Sequence, residues 1–200
     1  MKKLKLRAYV LPAVILVVAI LLLLNGVTKT PIEENYTYVS NTILEEALPV
    51  MNEKTMIINP YLDQSVTVGK EYYDYKGEST HQEKSIVYYD GTYMQNSGVD
   101  FISSNVFEVV SILPGTVTDV KEDELLGKIV EIKHDKYVAL YQSLSEVSVK
   151  KGDVIFQGQP IGKSGTNELD KAIGNHLHFE LSYDGNMVNP LDHLNKELKN

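Results

Sequence analysis

Cysteine is absent from this 200-residue chain, and so is tryptophan. The missing thiol excludes disulfide scaffolds, thiol enzymes, iron–sulfur proteins and cysteine-ligated zinc fingers. Acidic residues are missing from residues 1–27, which hold Lys2, Lys3, Lys5 and Arg7. Four of the 19 basic and none of the 27 acidic residues lie there, so residues 28–200 carry 15 basic against 27 acidic. A body of that charge repels phosphate, which argues against nucleic acid as a partner. It is also poorly suited to gripping a polyanionic wall. Hydrophobic residues at 43% and charged residues at 23% lie near globular averages and exclude wholesale disorder. The length fits one ordinary domain with some extra chain.

Charge of either sign is missing from residues 8–24. Roughly 20 apolar residues at ~1.5 Å each span a bilayer core of ~30 Å. The expectation is a single transmembrane helix over residues 8–27, with residues 1–7 in the cytoplasm because the positive charges precede it. The rival is a cleaved signal peptide, whose apolar stretch is shorter, ~7–15 residues, and is followed by a small-x-small site. No such site follows here. Residues 28–58 read as a stalk, with a short helix over 42–48 ended by Pro49.

From residue 59 to residue 200 the texture is that of an antiparallel, mainly β domain. Short β-branched and tyrosine-rich runs fall at 65–68, 71–75, 85–89, 106–110, 115–120, 128–133, 137–141, 154–156 and 177–182. Eight of the 13 glycines lie between Gly115 and Gly185, at the joints between runs, as turns require. A helix is expected only at 191–198, after Pro190. Heptads and internal repeats are absent.

Among five histidines, only His176 and His178 have suggestive spacing. They alternate with Leu177, Phe179 and Leu181, so a strand puts both imidazoles on one face, ~6–7 Å apart. That suits one zinc ligand beside one catalytic base. The alternative is a polar strand face turned to solvent, where truncation costs under ~1 kcal/mol.

The surroundings of the pair decide more. Leu113-Pro-Gly-Thr-Val117, Val149-Lys-Lys-Gly-Asp153, Gly158-Gln-Pro-Ile-Gly162, Gly165 and Val188-Asn-Pro190 flank it in a fixed order. Over residues 88–194, this series resembles the LytM (lysostaphin-like) zinc endopeptidases of bacterial cell walls. The resemblance implies a LytM-type, duplicated hybrid motif-like antiparallel sheet domain, here carried on the N-terminal anchor. It also implies site residues. The family's His-x-x-x-Asp metal motif falls on Asn96-Ser-Gly-Val-Asp100, with asparagine in the histidine's place. Its third metal ligand falls on His178 and one catalytic histidine on His176. The other catalytic histidine falls on Ser143, within Tyr141-Gln-Ser-Leu144. Metal positions Asn96, Asp100 and His178 thus keep two ligands of three, and catalytic positions Ser143 and His176 keep one histidine of two. An amide oxygen suits hard cations rather than zinc, and a hydroxyl has no useful pKa near neutrality. His134 and His81 are not expected to substitute. The reading is a remnant site without catalysis and without a cofactor, weak zinc binding being left open. Reversal would require histidine at both 96 and 143.

Within that family, Ile86-Val-Tyr-Tyr-Asp-Gly-Thr-Tyr-Met-Gln-Asn96 and the Tyr141 segment resemble the degenerate stage II sporulation Q proteins of endospore-forming bacteria. That resemblance implies a forespore membrane protein whose outer domain meets a mother-cell partner of the stage III sporulation AH type in the intermembrane space. The pair would form a ring-like channel during engulfment. A divergent wall endopeptidase and an activator of another wall hydrolase stay open. Many tyrosines suit a protein interface, although most would pack a sheet equally well. The sequence does not identify partner-binding residues.

Overall fold

A computed structural model describes residues 16–17, 20–21 and 55–198 of the chain. The first four are helical. The expected anchor at 8–27 otherwise lies outside the described residues, as does the helix expected at 42–48, and among the described residues no helix is long and apolar enough to cross a membrane.

Twelve strands carry the domain: β1 (Thr67–Lys70), β2 (Ile86–Tyr89), β3 (Thr92–Gln95), β4 (Val99–Ile102), β5 (Glu108–Val110), β6 (Gly115–Asp123), β7 (Gly127–His134), β8 (Tyr137–Val147), β9 (Val154–Ile155), β10 (Pro160–Ser164), β11 (His176–Tyr183) and β12 (Asn186–Val188). A short helix, α1 (Ser79–Lys84), lies just before β2. The main sheet runs β1-β4-β11-β8-β7-β6-β9, with β12 on β11 and β10 joining β5 to β8; β2 and β3 form a separate hairpin. Every pairing is antiparallel.

Period two explains both faces. Val99 and Phe101 on β4, Leu177, Phe179 and Leu181 on β11, Ala139 and Tyr141 on β8, and Val130 and Ile132 on β7 are buried together as the core. The intervening residues line the other face. There the register sets Lys70, Asp100, His178 and Gln142 side by side across β1, β4, β11 and β8. Gly98 permits this register: a Cβ there would stand 2.3 Å from the Phe179 carbonyl oxygen.

Two expected elements are absent. Residues 71–75 form a loop rather than a strand. The C-terminal helix reduces to a 3-10 turn, Pro190–Asp192. Local preference there yields to pairing with the start of the domain: Ile57 N–H donates to Lys196 O and Leu198 N–H to Thr55 O. Ile57, within the span read as stalk, is buried in this core.

Candidate functional site

The five positions singled out in the sequence converge, but in two separate groups. Asn96, Asp100 and His178 line a cavity of about 210 Å3 together with Val87, Met94, Gln142, Leu169, Asp170 and Glu180. His176 and Ser143 are not among its walls; they are 1% and 0% exposed.

The first group is an ion triad. His178 Nδ1 lies 2.7 Å from Asp100 Oδ1, and its Nε2 lies 3.3 Å from Glu180 Oε1. Both ring nitrogens therefore face acceptors. Burial pulls the His178 pKa down, but the hydrogen bonds and charges of Asp100 and Glu180 outweigh it and hold it up at about 9. Burial would raise the Glu180 pKa, yet hydrogen bonds from His178 and Ser97 leave it lowered. His178 is thus an imidazolium between two carboxylates at neutral pH.

Asn96 closes the group. Its Nδ2 donates to Glu71 O at 3.0 Å and Gly98 O at 2.9 Å, and reaches Asp100 Oδ2 at 3.4 Å. Two carbonyls can only accept, so the amide nitrogen, not its oxygen, is turned toward the aspartate.

The second group lies beneath. His176 Nδ1–H donates to Gly174 O at 2.8 Å, so Nε2 is the acceptor for the Ser143 hydroxyl at 2.9 Å. Asn167 Nδ2 covers both, donating to Ser143 Oγ at 2.8 Å and standing 3.2 Å from His176 Nε2. Asn167 is held by the Asp170 amide at 2.8 Å, and Asp170 is ion-paired with Lys70 from β1. Ser143 itself adopts φ +64°, because β8 turns there from β11 onto β10 while bulging against β7. A serine and a histidine at hydrogen-bond distance suggest a nucleophile and its base. Both side chains are buried and stand outside the cavity lining.

Residues 94–190 match peptidase family M23. Stage II sporulation protein Q of Bacillus subtilis (strain 168) is 34% identical over 203 residues, covering 95% of this chain and 72% of that protein. The chain belongs to the stage II sporulation protein Q family, built on an M23 domain. A solved structure described as the SpoIIQ-SpoIIIAH pore forming complex superposes with a TM-score of 0.70 at 38% identity, over 72% of this chain and 94% of that one. A zinc-containing peptidase of Vibrio cholerae shares the fold at TM-score 0.53 and 24% identity, over 68% of this chain and 39% of that one. The peptidoglycan DD-endopeptidase ShyA of that organism is 34% identical over 97 residues, 48% of this chain but 22% of the enzyme. These likenesses establish a mainly antiparallel, LytM-like fold.

The zinc that an M23 fold implies does not fit these residues. Asn96 presents N–H groups rather than a lone pair, which leaves Asp100 and His178 where three protein ligands are needed. His178 is held on both ring nitrogens, by Asp100 and Glu180, so a metal would have to displace one of these contacts and a proton to bind there. Among the described residues, no group of three or more His, Asp or Glu side chains is arranged to hold a metal ion. His134 offers no substitute: it lines a different cavity beside Leu113 and Tyr137, and its Nδ1 is 3.0 Å from Pro114 O. His81 is exposed on α1, 3.6 Å from Glu71.

Glu180 and Asn167 were not anticipated. Glu180 follows His176 and His178 at the same period of two, so extending the alternation one step places it on their face. Asn167 lies in a loop without periodicity, and only the tertiary structure brings it over His176.

Proposed function

We propose that this protein is a catalytically inactive M23-type scaffold that binds the outer domain of a SpoIIIAH-like membrane protein between two membranes during sporulation. The observation that carries the reading is the His178 triad. Carboxylates occupy both nitrogens of the one ligand histidine, while the other histidine is sealed under Asn167. Family membership supports the partner, since the SpoIIQ structures matched at TM-scores 0.70 and 0.64 are complexes with SpoIIIAH. The uncharged run at residues 8–24 and the basic residues before it support an anchored chain with its body outside the cytoplasm. Remnant roles follow: Asn96, Asp100 and His178 at the former metal positions, Ser143 and His176 at the former catalytic ones.

Calorimetry with the full chain in detergent micelles and the partner's outer domain is expected to give saturable 1:1 binding that a metal chelator leaves unchanged. Incubation with purified cell wall is expected to release no peptide. Zinc-dependent release would overturn the scaffold reading in favour of a divergent endopeptidase.

A reporter fused after Asn200 is expected to be active only outside the cytoplasm, on a membrane-retained product of full mass. A soluble product trimmed near Gly26 would show a cleaved leader instead.

A further inference from the structure

Where β7 turns into β8, the domain holds a second cavity, of about 280 Å3. It shares no residue with the cavity of the remnant site. Leu113, Pro114, Tyr137 and Leu198 give it mainly apolar walls, with His134 and Thr55 among them. The first and last segments of the domain meet there, since Leu198 N–H donates to Thr55 O at 2.7 Å.

His134 is 2% exposed, yet only one of its ring nitrogens is engaged. Nδ1 lies 3.0 Å from Pro114 O, and a carbonyl only accepts, so Nδ1 carries the proton. Gly115 makes room for this contact, because a Cβ there would stand 2.4 Å from Nδ1. Burial holds the His134 pKa below its ordinary value, so the ring is neutral and Nε2 keeps its lone pair. Among the described residues, nothing donates to that nitrogen. Buried polar atoms without a partner are rare, and each calls for an explanation.

These features restrict what the cavity could take. A free lone pair accepts from a hydroxyl or N–H and repels an anion. Apolar walls penalise any full charge, and the remaining lining residues, Asp135 and Lys136, are of opposite sign and supply no net field to offset the penalty. A single imidazole is too few ligands for a metal ion. The volume falls between the ~150 Å3 of a cavity that accepts benzene and the ~300–1,000 Å3 of pockets for drug-sized molecules, which is room for one substituted ring. Tyr137 has its hydroxyl engaged at 3.0 Å by His193 Nδ1, so what it adds to the wall is aromatic surface, on which another ring packs well.

We propose that this cavity binds a small uncharged aromatic alcohol, its hydroxyl donating to His134 Nε2 and its ring packed on Leu113, Pro114, Tyr137 and Leu198. Such a ligand fastens together the two segments that meet at Thr55 and Leu198. The inference does not depend on the scaffold reading.

The test uses the full chain in lipid nanodiscs with two probes of nearly equal size, phenol and toluene, of which only phenol can donate. The readouts are the side-chain nitrogen NMR signals of His134 and the thermal midpoint. Phenol is expected to bind saturably, to shift the Nε2 signal and to raise the midpoint by mass action. Its affinity should exceed that of toluene by about 10-fold, the worth of one hydrogen bond. His134→Phe, which keeps a ring but removes the acceptor, is expected to erase that preference. Thr55→Trp, which fills the cavity from an exposed position, is expected to abolish binding of both probes. Circular dichroism melts establish that each variant is folded; should His134→Phe not fold, the phenol-to-toluene ratio in the parent and the loss in Thr55→Trp decide. A parent that binds neither probe would show that water or the chain itself satisfies His134, and would overturn the proposal. Equal affinity for the two probes would separate the ligand from Nε2, and undiminished binding in Thr55→Trp would place it in the bilayer or elsewhere on the surface. Either result overturns the proposal as well.

Discussion

Replacing His178 with alanine is expected to destabilise the domain by about 3–5 kcal/mol, the usual cost of removing one partner from a buried ion pair. Asp100 is only 3% exposed in its side chain and Glu180 18%, so the truncation leaves two largely buried carboxylates facing one another without the cation between them. The polar-face alternative drawn from the sequence gives under ~1 kcal/mol instead. Denaturant unfolding at pH 6 distinguishes the two, and a cost below ~1 kcal/mol would mean that the triad does not hold its charges.

The same triad gives the loss a pH signature. The folded His178 pKa of about 9 lies above the ordinary value of 6.5, so its contribution is complete below pH 6.5 and is lost as pH rises through 9. Glu180 is shifted the other way, below 4.5, so its contribution is complete above pH 4.5 and is lost as pH falls through its folded value. The difference between parent and His178→Ala is therefore expected to be greatest from pH 4.5 to 6.5 and to shrink toward pH 9. Taking a difference matters because His134 opposes it. Burial lowers the His134 pKa against the pull of the Pro114 carbonyl, so its contribution is present above pH 6.5 and lost as pH falls. A difference that grows between pH 6.5 and 9 would contradict the assignment of the imidazolium.

Period-two alternation made much of this legible. It placed His176 and His178 on one face of a strand and Leu177, Phe179 and Leu181 on the other, as β11 has them. Runs 115–120, 128–133 and 137–141 fall within β6, β7 and β8, though β8 continues to Val147 past the bulge at Ser143. β4 and β10 escaped notice because Asp100 and Gly162 interrupt their apolar pattern. Each interruption has a tertiary cause: Asp100 is satisfied by His178 from β11, and a Cβ at Gly162 would lie 2.4 Å from Glu146 O. The resemblance to the LytM peptidases marked Asn96 and Ser143 as departures from the family pattern. It gave no sign that those remaining are buried, because the cover consists of one loop amide, Asn167, and one cross-sheet ion pair, Lys70–Asp170.

That cover changes what restoration of the site requires. Asn96→His is expected to raise zinc affinity at least ~10-fold, since even changes behind metal ligands commonly shift it by ~10–100-fold. The gain is limited because zinc must displace Glu180 and the proton from His178, so it should grow between pH 6.5 and 9 as that imidazole neutralises. Adding Ser143→His supplies the second catalytic imidazole that the sequence lacks, and groups of that kind are each worth ~100- to 10,000-fold in rate. Hydrolysis of wall peptides is nevertheless expected to stay undetectable in this double variant. Position 143 is fully buried, and enlarging it costs ~1–3 kcal/mol from overpacking. His176, 1% exposed, still lies under Asn167 and the Lys70–Asp170 clamp, out of reach of any substrate. Asn167→Gly with Asp170→Ala, added to the double variant, removes both parts of the cover and is expected to give the first measurable cleavage. Zinc calorimetry and peptide release on the parent, double and quadruple variants separate the causes. Cleavage by the double variant but not by the parent would mean that the two absent histidines alone explain the difference, whereas cleavage confined to the quadruple variant makes burial of His176 an independent lock on the site.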